Sequence, residues 1–140
     1  MAGRPQCLAD TGALIALLNS DDPWHQRCRE AYGRLRLPLA TSTGVLTELF
    51  HLIDHPREAD AAWGLFRSRA VTVLPIGDED LPGLEALMHR YRDRPMDFAD
   101  ATLVHLARRE NLATVFTIDH GDFETYRIEG KRSFQIFPSR

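Results

Sequence analysis

Residues 7–19 read Cys7-Leu-Ala-Asp10-Thr-Gly-Ala-Leu-Ile-Ala-Leu-Leu-Asn19, a short apolar run that passes through one acidic residue into a longer apolar run. Gln6 to Ala9 is expected to form a buried strand and Asp10-Thr11-Gly12 a turn. Ala13 to Asn19 is expected to form a helix that packs through Leu14, Ile15, Leu17 and Leu18. A carboxylate then stands at the C-terminal end of the first strand, where an open α/β sheet presents its binding crevice.

The same alternation continues along the chain. Asp21-Asp22-Pro23 reads as a helix start with proline in the first turn, the helix running from Trp24 to about Arg34, and Leu37 to Ala40 as a second strand. Thr41-Ser-Thr offers N-cap hydroxyls to a helix carrying Val45, Leu46, Leu49, Leu52 and Ile53. A helix is expected after Pro56, a strand over Val71-Thr-Val-Leu-Pro-Ile, and a helix from Asp80-Leu-Pro to about Tyr91. Asp97 to Glu110 reads as a helix with Leu103, Leu106 and Ala107 inward, and Thr114 to Ile118 as a strand that ends at Asp119. Strands separated by helices imply right-handed βαβ units and a parallel sheet covered on both faces. Residues 1–140 are expected to form one domain, with no internal repeat or linker.

Composition removes several function classes. A formal charge of -3 means that affinity for a polyanion must come from local patches and bound cations. Lys131 is the only lysine, in Glu129-Gly-Lys-Arg, which is not a P-loop. The longest uninterrupted apolar stretch is Ala13 to Leu18, far below the roughly 20 residues of a membrane helix, and Met1-Ala-Gly-Arg-Pro has no leader-like apolar segment. Cys7 and Cys28 have neither metal-ligand spacing nor the density of a disulfide framework, which suits a reducing, cytoplasmic setting.

The acidic residues carry the chemistry. Asp10 and Asp119 each follow a short apolar strand; either is also readable as a turn or N-cap residue, and the two meet only if their strands are neighbours. Glu48 lies in Thr43-Gly-Val-Leu-Thr-Glu-Leu-Phe among apolar residues, in the second helical turn and so near the same rim. Asp97 and Asp100 open the helix Met-Asp-Phe-Ala-Asp-Ala, an arrangement that capping also explains, for Asp97 better than for Asp100. Acids gathered at one rim repel one another unless cations neutralise them, and hard cations such as Mg2+ or Mn2+ prefer oxygen ligands. His51 and His55, with Glu48, give Glu-x-x-His-x-x-x-His; this differs from the metalloprotease pattern and lacks a third soft ligand, so zinc is set aside. His51 is readable either as structural or as a group near the site. Arg90, Arg92 and Arg94, with Tyr91 interleaved, suit contacts to RNA phosphates and bases.

With these residues in place the chain resembles the PIN-domain family, most closely the VapC-type toxins of prokaryotic toxin–antitoxin pairs. The resemblance runs from Leu8-Ala-Asp-Thr-Gly-Ala-Leu-Ile-Ala-Leu-Leu-Asn through Met96-Asp-Phe-Ala-Asp-Ala to Thr117-Ile-Asp-His-Gly-Asp-Phe. It implies a three-layer α/β/α sandwich on a mainly parallel sheet of about five strands. It also implies metal-dependent hydrolysis of RNA phosphodiesters, with Asp10, Glu48, Asp100 and Asp119 as the four catalytic and metal-binding acids. Asp97 is then an auxiliary or alternative ligand, Asp122 flanks the set, and Thr11 and Thr117 are hydroxyls that orient carboxylates or water. A homodimer and a cognate antitoxin covering the site are further implications. Extra acids at Asp21-Asp22 and Asp78-Glu79-Asp80 depart from what suits an RNA groove. Two other functions stay open: a non-catalytic interaction module on the same fold, and a phosphoryl-transfer or receiver domain with Asp10 as nucleophile, which lacks the lysine such domains use.

Overall fold

The computed structural model describes residues 3–140; Met1 and Ala2, part of the stretch read as lacking a leader, lie outside the described residues. Five strands form one parallel sheet: β1 (Cys7–Ala9), β2 (Leu39–Thr41), β3 (Val71–Val73), β4 (Thr114–Phe116) and β5 (Gln135–Phe137), in the order β3-β2-β1-β4-β5. The connecting helices are α1 (Thr11–Leu18), α2 (His25–Arg34), α3 (Thr43–Leu52), α4 (Pro56–Arg67), α5 (Leu81–Arg90), α6 (Phe98–Glu110) and α7 (His120–Thr125). α1 packs on α2 and α3, α3 on α6, and α6 on α5, which gives the expected α/β sandwich.

Central position explains the composition of β1. Cys7, Leu8 and Ala9 are apolar without alternation because helices cover both faces of a parallel sheet, and all three are buried. Leu8 faces Ala40 on one side and Val115 on the other. β5 has the weaker pattern of an edge strand, Gln135 exposed and Ile136 half-buried, and neither it nor the short α7 has a clear periodic signal. The fifth strand was implied by the family resemblance alone.

Where boundaries differ from the sequence reading, side-chain caps are the cause. The expected turn Asp10-Thr11-Gly12 is instead an N-cap followed by the first residues of α1: Asp10 has extended backbone and accepts a hydrogen bond from Thr11 N. Gly12 suits this close approach: a Cβ there would lie 3.0 Å from Ile118 Cγ1, so its absence lets α1 start against the chain leaving β4 without moving that side chain. The expected helix start at Asp21-Asp22-Pro23 is a turn closed by Asp22, which accepts from Trp24 N at 2.8 Å, and α2 begins at His25. β2 is shifted to Leu39–Thr41, so Thr41 belongs to the strand and Ser42 caps α3 by accepting from Val45 N. Thr41 Oγ1 then donates to Ala9 O at 2.8 Å, joining the ends of two strands.

Leu8 is fully buried at the middle of the sheet. Leu8→Ala is expected to cost about 2–5 kcal/mol, as truncation of a core leucine does, measured by urea unfolding with no change in far-UV circular dichroism of the folded state.

Candidate active site

Helices that follow strands start at the sheet's carboxyl rim, so their N-cap residues gather there. Asp10 caps α1 directly after β1, and Asp119 caps α7 three residues beyond the end of β4. Because β1 and β4 are hydrogen-bonded neighbours, with Ala9 opposite Phe116, these two acids leave adjacent strands side by side. Asp97 caps α6, accepting from Asp100 N at 2.8 Å, and Asp100 lies one turn further in. The capping role read from the sequence and membership of the cluster therefore hold together for the same residues.

One groove of about 420 Å3 is lined by all five acids, Asp10, Glu48, Asp97, Asp100 and Asp119, together with Thr11. Asp10 is buried, and both its oxygens are engaged: Oδ1 accepts from Thr11 N at 2.8 Å and Oδ2 from Thr117 Oγ1 at 2.7 Å. Thr117 Oγ1 in turn accepts from Asp119 N at 3.0 Å, so one hydroxyl ties the first acid to the fourth. Thr11 acts on Asp10 through its backbone N–H; its hydroxyl is buried and has no partner. Glu48 is half-buried on α3 and Asp97 is exposed.

Asp100 is also buried, and its Oδ2 accepts from the hydroxyl of the fully buried Tyr126 at 2.9 Å. Tyr126 was not recognised in the sequence, where it was one more aromatic residue after the last acids; it reaches Asp100 because the chain turns back after α7. Asp122, noted only as a flanking acid, offers an oxygen that lies within 4.8 Å of oxygens of Asp100 and Asp119.

Burial makes these acids reluctant to ionise. Desolvation pushes Asp100 from 3.8 to about 8, helped by the charges of Asp10, Asp97 and Asp119 and opposed by the Tyr126 hydroxyl. Asp10 is pushed to about 6 by burial first, against the hydrogen bonds from Thr117 and Thr11, with Glu48 and Asp119 adding repulsion. Partial burial and the neighbouring Asp122 carboxyl raise Asp119 as well. Fixed oxygens at high charge density in a half-closed groove, with no nitrogen or sulfur donor among the groove-lining residues, suit a hard divalent cation.

The histidines stand elsewhere. His25 Nδ1 is hydrogen-bonded to Ala16 O, and His120 to the carbonyls of Ile118 and Pro138. α3 ends at Leu52 and His55 caps α4, accepting from Arg57 N, so the Glu48/His51/His55 pattern does not lie on one helix. His51 is exposed and lines a neighbouring groove with Glu48.

The arginine run is partly occupied. Arg94 Nε donates to Asp122 Oδ1 at 2.9 Å, Arg92 Nη1 lies 2.8 Å from His89 Nε2, and the Arg90 guanidinium sits over the Tyr91 ring at 5.5 Å. Tyr91 packs edge-on against Tyr126 and its hydroxyl accepts from Arg127 N, so its ring forms part of the core wall. The extra acids do not line the groove. Asp80 is buried between His105 Nε2 at 2.8 Å and Arg109 Nη1 at 3.1 Å, and the Gly77 N–H and these partners hold it at about 2.

Fold and site together define an α/β sandwich protein with an all-carboxylate centre at the carboxyl rim of its central strands. Residues 7–128 match the PIN domain, and the chain belongs to that family. It is 27% identical over 134 residues to Ribonuclease VapC26 of Mycobacterium tuberculosis (strain ATCC 25618 / H37Rv), covering 94% of this chain and 99% of that protein. Its fold resembles that of Mycobacterium tuberculosis VapC20, a Sarcin-Ricin loop cleaving toxin, with TM-score 0.74 and 23% identity over 81% of this chain and 90% of that one. FitAcB from Neisseria gonorrhoeae is similar in fold at TM-score 0.60 and 20% identity, over 84% of this chain and 90% of that one.

The raised carboxyls make a signed prediction. Asp100 and Asp10 bind protons more tightly folded than unfolded, so in chelator their stabilising contribution is complete below the ordinary 3.8 and is lost as pH rises through about 6 and about 8. The melting temperature in chelator is therefore expected to fall between pH 5 and pH 8, and Asp100→Asn to flatten that slope; an equal slope in both chains would contradict the assignment.

Proposed function

We propose that this chain is a VapC-type toxin, an endoribonuclease that hydrolyses RNA phosphodiester bonds with Mg2+ or Mn2+ held by Asp10, Glu48, Asp100 and Asp119, Asp97 assisting. The observation that carries this reading is the convergence of all five acids on one groove, with Asp10 and Asp100 buried against their electrostatic preference. Strain of that kind is supported elsewhere by the fold, and a cation that relieves it explains why the acids are kept together. A divalent cation held there supplies Lewis acidity and neutralises charge that develops on the phosphate.

The chain's own groups divide the remaining work. Thr117 and the Thr11 N–H hold the Asp10 carboxylate in one orientation, and Tyr126 does the same for Asp100. Asp97 and Glu48 face the groove from separate helices and leave its mouth open to a strand. Arg90 and Arg92, both exposed at the end of α5, supply phosphate contacts.

An antitoxin that covers the groove, a homodimeric assembly and a cytoplasmic setting belong to the same reading. Exposed apolar surface supports a protein partner: Leu52 lines the groove at 54% exposure, and elsewhere Trp63 of α4, stacked on Phe50 of α3, is 51% exposed. Among the described residues no helix is long and apolar enough to cross a membrane. The receiver reading is disfavoured because the lysine such domains use is missing: Lys131, the only one in the chain, does not line the groove.

Asp10→Asn and Asp119→Asn are expected to abolish Mg2+-dependent cleavage of RNA while keeping the fold, and Thr117→Val to reduce it about 10–100-fold by freeing Asp10. Millimolar Mn2+ should raise the melting temperature of the wild-type chain and much less that of Asp10→Asn, as binding to the folded state alone requires. Product ends should be 5′-phosphate and 3′-hydroxyl. Cyclic 2′,3′-phosphate ends, or cleavage persisting in excess chelator, would remove the acids from this role.

A further inference from the structure

A second groove of about 550 Å3 adjoins the acidic one and shares two of its walls, Glu48 and Asp97. Its other lining includes Thr43, Thr47 and His51 of α3 and Phe98 of α6, so it runs along α3 beside the start of α6, next to the cluster. Phe98 is 48% exposed, whereas the four residues that follow it, Ala99 to Thr102, are buried. Asp97 already caps the helix, so capping gives no reason for a phenylalanine at its first position. Nor does packing: Phe98 lies outside the hydrophobic core and pairs with no other ring among the described residues. His51, also exposed, brings a second ring to the same groove.

Among the described residues, no arginine or lysine lines either groove. The chain's formal charge is -3 and Arg94 is paired with Asp122, which leaves Arg90 and Arg92 at the end of α5 for phosphates further along the strand. A strand whose phosphate lies at the acids therefore needs non-ionic contacts from the flanking nucleotide, and stacking of an unpaired base on an aromatic side chain is the contact that single-stranded RNA makes most readily. The shared acidic wall repels phosphates and tolerates a neutral base, which favours entry base-first.

We infer that the Phe98/His51 groove is a nucleobase subsite, which receives by stacking an unpaired base next to the scissile phosphate; this rests on the ribonuclease reading above. Phe98 is then a residue that positions the substrate strand and takes no part in bond breaking. The pocket takes single-stranded RNA, and a base held in a duplex does not enter it.

Binding separates this inference from the activity on which it rests. Fluorescence anisotropy of labelled octauridylate, with Ca2+ in place of Mg2+ to suppress cutting, compares the wild-type chain as parent with Phe98→Leu and Phe98→Trp. Loss of one stacked base should weaken binding roughly tenfold in Phe98→Leu, while Phe98→Trp binds as tightly as the parent or more tightly. An octamer of abasic ribose phosphates should bind the parent and Phe98→Leu alike. Unchanged affinity in Phe98→Leu, an equal loss with the abasic octamer, or no binding of octauridylate by the parent would overturn the subsite; the first of these is also what a groove reserved for a protein partner would give. Failure of the wild-type chain to cut RNA would instead defeat the ribonuclease reading and leave the stacking result standing on its own.

Discussion

The hydrogen bond from Thr117 Oγ1 to the buried Asp10 carboxylate, 2.7 Å long, holds the rest of the site in register. It joins the carboxyl ends of β1 and β4 across the middle of the sheet and, through the same oxygen, fixes the backbone of Asp119. A carboxylate in such a place is costly, and neither of its two donors carries a charge that would offset the burial. The surrounding core supplies the compensation. Leu8, Ala9, Leu14, Val115 and Phe116 are fully buried around this junction, so the acid is held where it would not choose to ionise.

Capping and chemistry coincide for a geometrical reason. In a parallel sheet every helix that follows a strand begins at the same rim, and a helix start needs a side-chain acceptor. Asp10 and Asp119 meet that need after β1 and β4, as Ser42 does after β2, and Asp97 caps α6, which follows α5 but starts at the same groove. Aspartate at three of these caps converts a set of local stop-and-start signals into a shared pool of negative charge. The positive ends of the helix dipoles face the same groove and moderate the repulsion. Asp100 has no capping role, and of the groove's two buried acids it is the more strongly perturbed.

The charge distribution assigns different tasks to neighbouring surfaces. Acids and their supporting hydroxyls occupy one groove, while apolar and aromatic groups occupy the next, with Glu48 and Asp97 as the common wall. Of the arginines that the sequence offers to RNA, Arg94 is paired at the surface with Asp122.

Much of this was legible in the chain itself. The run from Cys7 to Leu18 determined a buried strand passing into a helix, because Asp10-Thr11-Gly12 divides a short apolar run from a longer one. Asp10, Glu48, Asp97, Asp100 and Asp119 were recognisable by their places beside such elements. The chain could not determine that β1 and β4 are neighbours, since strand order depends on long-range packing with no local signature. For the same reason the partnership of Thr117 with Asp10 and that of Tyr126 with Asp100 appeared only in three dimensions, across 107 and 26 residues. β5 and α7 were silent because an edge strand and a six-residue helix are too short and too exposed to carry a period. Whether an exposed arginine or phenylalanine is free was likewise decided by tertiary structure, because its availability depends on what the fold brings beside it: Arg94 met Asp122, and Phe98 met an open groove.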